Sequence, residues 1–414
     1  MTAARTVSAE GPPSAPEPGL PPEEFVARAE RIAATLVDRQ EETEERGYYA
    51  LDTHDEFLRA GLYRLLVPKR YGGYEVDLGT YVKVVSAIAR GCPSTGWMYT
   101  FGAAHALLAA TLFGEEAQDE LFAAGDFIAP ATVAPVGVAE PAGDGGWIVD
   151  GVHGYSSGSP YATHFLGHTL MPGGPDEPPT PMLFALSRDK WTRLDDWGAQ
   201  LGLKGSGSHS VSIDKAHVPA HLALPGIHVG LTGVENGTPG RELHDNPLYG
   251  GGLMSSLQFH LASVSVGMAT GALDAYGELM RTRTTNFPPI TSRAEDPDYQ
   301  GRYGEAAALI ATAEAALGDA VRQWQDTSAR GAAAFTREVD LRLALISREV
   351  IRLCWSAVAD QLYPTAGSSA VRNGSRLERV WRDMSTLHSH VGVSVFLARV
   401  ANRDLAKLVF GGAS

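Results

Sequence analysis

Apolar residues recur at helical spacing in the first third of the chain. One series follows Pro21 at intervals of four, three and four residues: Phe25, Ala29, Ile32 and Leu36. Proline at a helix start costs no hydrogen bond, so this series predicts an amphipathic helix. The same periodicity continues over residues 56–66, 78–90 and 94–113, with proline or glycine at the breaks. We therefore predict an N-terminal helical domain over residues 21–126.

Helical periodicity returns in the last third and persists to the end. Within residues 341–359, apolar positions repeat at intervals of three, four, three and four, which predicts a continuous seam against a neighbouring helix. The pattern predicts four long helices: Leu253–Arg283, Asp298–Ala329, Phe335–Ala359 and Ser375–Leu408. Residues 247–411 are thus predicted to form a helix bundle.

The middle third has a different pattern of short apolar runs separated by turn residues. Asp144 and Gly145 stand between two such runs and accept positive φ angles at low cost, which predicts a β-hairpin. We predict a small β-domain over residues 127–225 and a Gly-rich linker over residues 226–246. Residues 1–20 are rich in Pro, Ala, Ser and Gly and are predicted to be a disordered tail. The expected fold class is α+β.

Composition excludes several function classes. The net charge of −14 opposes attraction to nucleic-acid phosphates. The two cysteines are too few for a disulfide framework, and no apolar run is long enough for a membrane helix, so a cytoplasmic location is expected. A metal site is not expected, because the chain has no HExxH motif, and His388 and His390 are two apart on a predicted helix and face different ways. The string GLKGSGSHS, residues 202–210, lies in no βαβ unit and is interpreted as a loop.

Several strings resemble a known family. LVPKRYGG at 66–73, ARGCPSTGW at 89–97 and KAHVP at 215–219 are similar to proteins with the acyl-CoA dehydrogenase fold. The strings GYSSG at 154–158, LHDNPLYGG at 243–251 and RVWRDMSTLHSHVGVS at 379–394 resemble, within that superfamily, the two-component flavin-dependent monooxygenases. The likeness extends from about Pro21 to Gly411. It implies an N-terminal helical domain, a central small β-domain and a C-terminal four-helix bundle.

The resemblance implies the oxygenase component of a two-component system. Such a protein takes reduced FMN or FAD as a diffusible cofactor, uses O2 via a flavin hydroperoxide, and hydroxylates an aromatic or similar small molecule. The chain has no βαβ unit for NAD(P)H, so a separate NAD(P)H:flavin reductase is an implied partner. The family also implies a homotetramer.

Three other functions stay open at this point. An acyl-CoA dehydrogenase or oxidase shares the scaffold, but it needs a carboxylate to remove an α-proton, and the string LHSHVGVS contains no acid. N-oxygenation of an amine or amino sugar is a further alternative. A catalytically silent scaffold protein would keep the fold without binding flavin.

The resemblance assigns catalytic roles to three residues. Ser157 would hydrogen-bond the flavin N5 atom, although a serine here also satisfies a strand-end turn. His105 would line the pocket beside the flavin, although a lone histidine on an apolar helix is more often a hydrogen-bonded core residue. His390 would exchange a proton with a substrate hydroxyl or a peroxide oxygen, with His388 as the competing candidate.

The resemblance also assigns flavin contacts. Thr132 would contact the pyrimidine side of the ring, and Ser156 would join Ser157 in the GYSSG string. Arg283 would reach the flavin phosphate across a subunit boundary, although an arginine at a helix C-terminus is also favoured by the helix dipole. Ser368, Ser369 and Arg372 would bind the phosphate or ribityl chain, and their other interpretation is a polar loop between helices.

Overall fold

The computed structural model describes residues 17–174 and 177–411. Most of the tail predicted for residues 1–20 lies outside this part of the chain. The described residues form helices, then two small antiparallel sheets, then helices again, which confirms the predicted α+β class. One continuous apolar core joins the three regions. No helix in the described part combines the length and apolarity needed to cross a bilayer.

The first region is helical, as its periodicity predicts. Helix α1 begins at Pro22 and buries Phe25, Ala29 and Leu36, and it packs against α4. Asp77 caps α4 by accepting a hydrogen bond from the backbone N–H of Thr80, which satisfies a donor that the first turn leaves unpaired. The helices are α1 (Pro22–Leu36), α2 (Gln40–Arg46), α3 (Leu51–Arg59), α4 (Leu78–Gly91), α5 (Pro93–Ala103), α6 (His105–Leu112) and α7 (Glu115–Leu121).

Two antiparallel sheets form the middle region. One has the strand order β1-β2-β6-β5 and the other β3-β4-β7. The predicted hairpin is confirmed: β1 pairs with β2, and the N–H of Ala142 donates to the carbonyl of Gly146 across the turn. The strands are β1 (Glu140–Pro141), β2 (Trp147–His153), β3 (His164–Met171), β4 (Thr180–Ser187), β5 (Thr192–Arg193), β6 (Val211–Val218) and β7 (Ala223–Pro225).

The segment predicted as a linker contains a short helix, α8 (Pro239–His244). The hydroxyl of Thr238 caps it and donates to the carbonyl of Tyr249, and His244 hydrogen-bonds the Gln118 side chain of α7 at 2.8 Å. With six residues, α8 is too short to produce a recognisable apolar period.

The last region contains three of the four predicted helices near their expected bounds. The prediction of one helix from Ser375 to Leu408 is wrong, because the chain leaves helical geometry at His390, where ψ is 137°. Two segments, Ala357–Leu362 and Gly392–Val400, are wound more widely than an α-helix. The helices are α9 (Leu253–Thr282), α10 (Pro297–Ala329), α11 (Arg337–Ser356), α12 (Tyr363–Ala366), α13 (Arg376–Ser389) and α14 (Ala401–Phe410).

Gly267 and Gly271 allow a close helix contact, but with a different partner from the one expected. In the sequence, two glycines four residues apart in a predicted bundle helix indicate the close approach of another bundle helix. Instead they face α4 of the N-terminal region: a Cβ on Gly267 would lie 2.3 Å from the carbonyl oxygen of Ser86, and one on Gly271 would lie 2.6 Å from that of Arg90. The pair therefore joins the bundle to the first helical region.

Gly267→Ala is expected to destabilise the protein by about 1–3 kcal/mol, because the added methyl forces α9 away from the backbone of α4. Urea unfolding followed by circular dichroism measures this change. Gly304→Ala is the matched control: Gly304 is exposed on α10 with open space around it, and alanine there should stabilise by about 0.5–1 kcal/mol. Equal effects of the two substitutions would contradict the close contact.

Candidate active site

The turn after β2 presents Ser157 to α5. Tyr155 has a φ of 58° and Gly158 a φ of 95°, so the chain reverses sharply on both sides of Ser157. A Cβ on Gly158 would lie 3.2 Å from the backbone of α5, which shows how closely the turn packs on that helix. Ser156 is buried, and its hydroxyl donates to the carbonyl of His153 at 3.0 Å. The side chain of Ser156 therefore holds the turn together.

The hydroxyl of Ser157 is bound on two sides. The indole Nε1 of Trp97, on α5, donates to Ser157 Oγ at 3.0 Å, and the hydroxyl of Ser208 lies 2.7 Å away. A hydroxyl oxygen can take part in three hydrogen bonds, one as donor and two as acceptor. Ser157 is half-buried, and one hydrogen-bonding position remains for a ligand.

An aromatic cluster adjoins Ser157; its members are Trp97, Phe101, His105 and His390. The first three are spaced four residues apart and so share one face of α5 and α6. Ring centroids of Trp97 and His390 are 5.3 Å apart, and those of Phe101 and His105 are 6.1 Å apart. The structure thus brings the three predicted catalytic residues, Ser157, His105 and His390, to one place.

His390 terminates α13 and presents a hydrogen-bond donor. The backbone N–H of Gly392 donates to its Nδ1 at 3.1 Å. Burial lowers the pKa of His390 to about 4, so the ring is neutral at physiological pH. Because Nδ1 accepts a hydrogen bond, the single proton of the neutral ring resides on Nε2. The Nε2–H group can therefore donate to a bound molecule.

His105 has the opposite tautomer. Its Nδ1 lies 2.7 Å from the carbonyl oxygen of Ala129, and a carbonyl can only accept, so Nδ1 carries the proton. Burial lowers the pKa of His105 and favours the neutral ring. Its Nε2 is then a hydrogen-bond acceptor. The cluster offers one neutral donor and one neutral acceptor.

His388, the competing candidate, lies in a different environment. Its ring centroid is 4.8 Å from that of Trp355 on α11, next to a group of rings that includes Trp381 and Tyr363. The helical turn of α13 directs its side chain away from the cluster that contains His390. The geometry favours His390 of the two.

Thr132 lies in the β-region. Its hydroxyl is 2.9 Å from Nδ1 of His153, and its carbonyl oxygen accepts a hydrogen bond from Nδ1 of His168 at 2.7 Å. The side chain is nearly buried. These contacts fix the backbone of Thr132 firmly between two histidines.

A second polar group lies on the surface at the end of α9. The guanidinium of Arg283 donates to the hydroxyl of Ser369 at 2.8 Å, so two of the predicted phosphate contacts do meet. Ser368 and Arg372 belong to the same exposed loop as Ser369. Among residues 17–174 and 177–411, no hydrogen bond or ring contact connects this group to Ser157 or His390.

Sequence reasoning missed three residues of the site: Trp97, Phe101 and Ser208. The spacing of four residues from Trp97 through Phe101 to His105 was a usable signal. Ser208 lies in the GLKGSGSHS string, which is a loop between β5 and β6, as predicted. Its contact with Ser157 depends on tertiary folding and leaves no local signal.

Comparison with known proteins places the chain in a family. The family model described as acyl-CoA dehydrogenase, N-terminal domain, matches residues 22–124, and the one described as acyl-CoA dehydrogenase, C-terminal domain, matches residues 259–395. The flavin-dependent monooxygenase, oxygenase subunit HsaA, of Rhodococcus jostii is 31% identical over 365 residues, which cover 86% of this chain and 91% of that protein. The chain belongs to the two-component flavin-dependent monooxygenases of the acyl-CoA dehydrogenase superfamily.

Further relatives of this monooxygenase agree with that assignment. The FADH(2)-dependent resorcinol hydroxylase, oxygenase component, of a Rhizobium species is 29% identical over 393 residues, covering 92% of this chain and 93% of that one. The crystal structure of 3-HSA hydroxylase from a Rhodococcus species superposes with a TM-score of 0.83 at 26% identity, covering 94% and 98% of the two chains. Membership of this family identifies the chain as a reduced-flavin-dependent monooxygenase rather than an acyl-CoA dehydrogenase.

Proposed function

We propose that this chain is the oxygenase component that takes reduced FMN or FAD from a separate NAD(P)H:flavin reductase and uses O2 to hydroxylate an aromatic or similar small molecule. The observation that carries the proposal is the grouping of Ser157, His105 and His390 around an aromatic surface. Two relatives, the resorcinol hydroxylase and the p-hydroxyphenylacetate 3-hydroxylase, are named for aromatic compounds and support an aromatic substrate here.

The residues of the site fit a flavin ring. Ser157 has one hydrogen-bonding position left after Trp97 and Ser208, as a ring nitrogen requires. When bound, reduced flavin supplies the two electrons with which one oxygen atom of O2 becomes water while the other enters the substrate. Ser157 and Thr132 would hold the ring, with Ser156 supporting the turn. Arg283, Ser368, Ser369 and Arg372 would hold the phosphate of a flavin bound mainly by a neighbouring subunit.

The two histidines would have different roles towards the substrate, His105 as a hydrogen-bond acceptor and His390 as a donor. His105 offers an acceptor at Nε2 and can orient a substrate hydroxyl by taking its hydrogen bond. His390 offers a donor at Nε2 and can stabilise negative charge that develops on oxygen during transfer. The surrounding aromatic rings lower the local dielectric constant around these groups, which strengthens each hydrogen bond.

We further propose a homotetramer in the cytoplasm. Large apolar side chains are exposed on the last helical segments, at Val391, Val395, Val409 and Phe410. Exposed apolar residues grouped in this way mark protein interfaces. A subunit interface there would also lie close to His390 along the chain.

The proposed function can be tested by mixing the purified protein with anaerobically reduced FMN or FAD and then with oxygenated buffer. Absorbance should show that protein-bound flavin returns to the oxidised form later than free flavin. Candidate phenols supplied with 18O2 should yield products that carry one labelled oxygen by mass spectrometry. Consumption of NADH without an added reductase would refute the reductase partner. Reoxidation at the rate of free flavin, with bleaching of bound FAD by acyl thioesters, would refute oxygenation.

A further inference from the structure

Ser157 is the first of three serine hydroxyl groups that are joined by hydrogen bonds, and the proposed function does not use this connection. Ser157 Oγ is 2.7 Å from Ser208 Oγ, which is 2.8 Å from Ser206 Oγ. We call Ser157, Ser208 and Ser206 the serine chain. Ser206 and Ser208 are buried, with exposures of 0% and 4%. In a row of hydroxyl groups, each group donates its proton to the next one, either towards Ser157 or away from it. The hydrogen bonds of the serine chain therefore share one direction, which we call its polarity.

The polarity of the serine chain is constrained at one end by Trp97. An indole N–H only donates, so it occupies one acceptor position of Ser157. In the outward arrangement, Ser206 donates to Ser208, Ser208 donates to Ser157, and Ser157 donates to a ligand. In the inward arrangement, Ser157 accepts from a ligand and donates to Ser208, which donates to Ser206.

The free-energy difference between the two arrangements depends on the other end of the serine chain, at Ser206. In the described part of the molecule, the hydroxyl of Ser206 has no side-chain hydrogen bond other than that with Ser208. The inward arrangement therefore leaves the Ser206 proton without an acceptor, whereas the outward arrangement satisfies both buried hydroxyls. The two arrangements differ by a single hydrogen bond, so a ligand that donates to Ser157 can reverse the chain.

We propose that Ser208 is a positioning residue that allows Ser157 to switch from donor to acceptor, an inference that rests on the proposed function. Nitrogen N5 accepts a hydrogen bond in oxidised flavin and carries a proton in reduced flavin. Ser157 can bind the protonated form only when its own proton has an acceptor, and Ser208 is that acceptor. The serine chain thus lets one hydroxyl bind both redox states of the cofactor.

Ser208→Ala tests the proposal through binding constants, without turnover. The dissociation constant for anaerobically reduced FMN or FAD should rise roughly three- to ten-fold, the effect of one hydrogen bond. The dissociation constant for the oxidised flavin should stay at the wild-type value, since Ser157 can still donate to it. Ser206→Ala should have a smaller effect, because Ser208 remains available to accept.

Ser208→Thr keeps the hydroxyl and should restore the wild-type ratio of the two constants. Ser210→Ala is the matched control, because Ser210 lies in the same loop outside the serine chain. If Ser208→Ala loses its cooperative melting transition, Ser208→Cys replaces it. Cysteine has a similar shape to serine but is only a weak hydrogen-bonding group, so the same two dissociation constants can be compared. A wild-type ratio in a folded Ser208→Ala or Ser208→Cys variant would overturn the inference. Failure of the wild-type protein to bind reduced flavin would instead overturn the proposed function.

Discussion

His390→Ala should lower the rate of substrate hydroxylation about 10²- to 10³-fold, the usual loss when a donor to a developing oxygen charge is removed. The backbone N–H of Gly392 fixes the proton on Nε2, and burial keeps the ring neutral with a pKa of about 4. The variant loses that donor while Ser157 and Trp97 keep their hydrogen bond. Reduced flavin should therefore bind with the wild-type dissociation constant. Single-turnover experiments that measure product and released hydrogen peroxide separately detect the loss.

The matched control for this prediction is His388→Ala. His388 packs on Trp355, away from the aromatic cluster, so its removal should leave the hydroxylation rate unchanged. Both variants remove the same type of side chain at positions two residues apart, His388 in the last turn of α13 and His390 directly after the helix. Loss of hydroxylation in His388→Ala, with retention in His390→Ala, would reverse the assignment.

The long helices were predictable because their evidence is local and repeated. The apolar period predicts a helix from Leu253 to Arg283, and α9 is Leu253–Thr282. The period also predicts Asp298–Ala329, and α10 is Pro297–Ala329. Each turn of a long amphipathic helix adds independent evidence, so errors are confined to the ends.

The end of α13 at His390 was not predictable from local sequence. No proline or glycine precedes the break, and the residues 385–390 are compatible with a helix. The break coincides with the position where His390 packs against Trp97 and Phe101 of the first helical region. Contacts across some 290 residues override the helical preference, as tertiary packing often does.

Only part of the candidate site can be predicted from the sequence, because its contacts also join residues that are distant along the chain. Ser157, His105 and His390 are predicted through resemblance to a family, because isolated serines and histidines carry no signal of their own. The hydrogen-bond partners of Ser157 were not predicted, because Trp97 and Ser208 are 60 and 51 residues away in the sequence. Periodicity describes which face of a helix is buried, but it cannot identify which polar groups meet across three regions.

Arg382 connects the three regions of the chain through ion pairs and hydrogen bonds that are largely buried. Its guanidinium donates to Glu44 on α2 at 2.9 Å, to the carbonyl of Leu201 at 2.8 Å, and to Glu378 on its own helix. The side chains of Arg382, Glu378 and Glu44 are only 8%, 10% and 16% exposed. These carboxylates therefore depend on a partner cation within a region of low dielectric constant.

Arg382→Ala is expected to destabilise the protein by about 3–5 kcal/mol, because it leaves the buried carboxylate of Glu378 and the half-buried carboxylate of Glu44 without this partner. Urea unfolding at neutral pH measures the change. Arg322→Ala is the control: Arg322 pairs with Asp319 and Asp326 on an exposed face of α10, where water screens the charges, so its removal should leave the free energy of unfolding unchanged. Equal stability of the two variants would mean that Arg379, which also contacts Glu44, is sufficient to neutralise it.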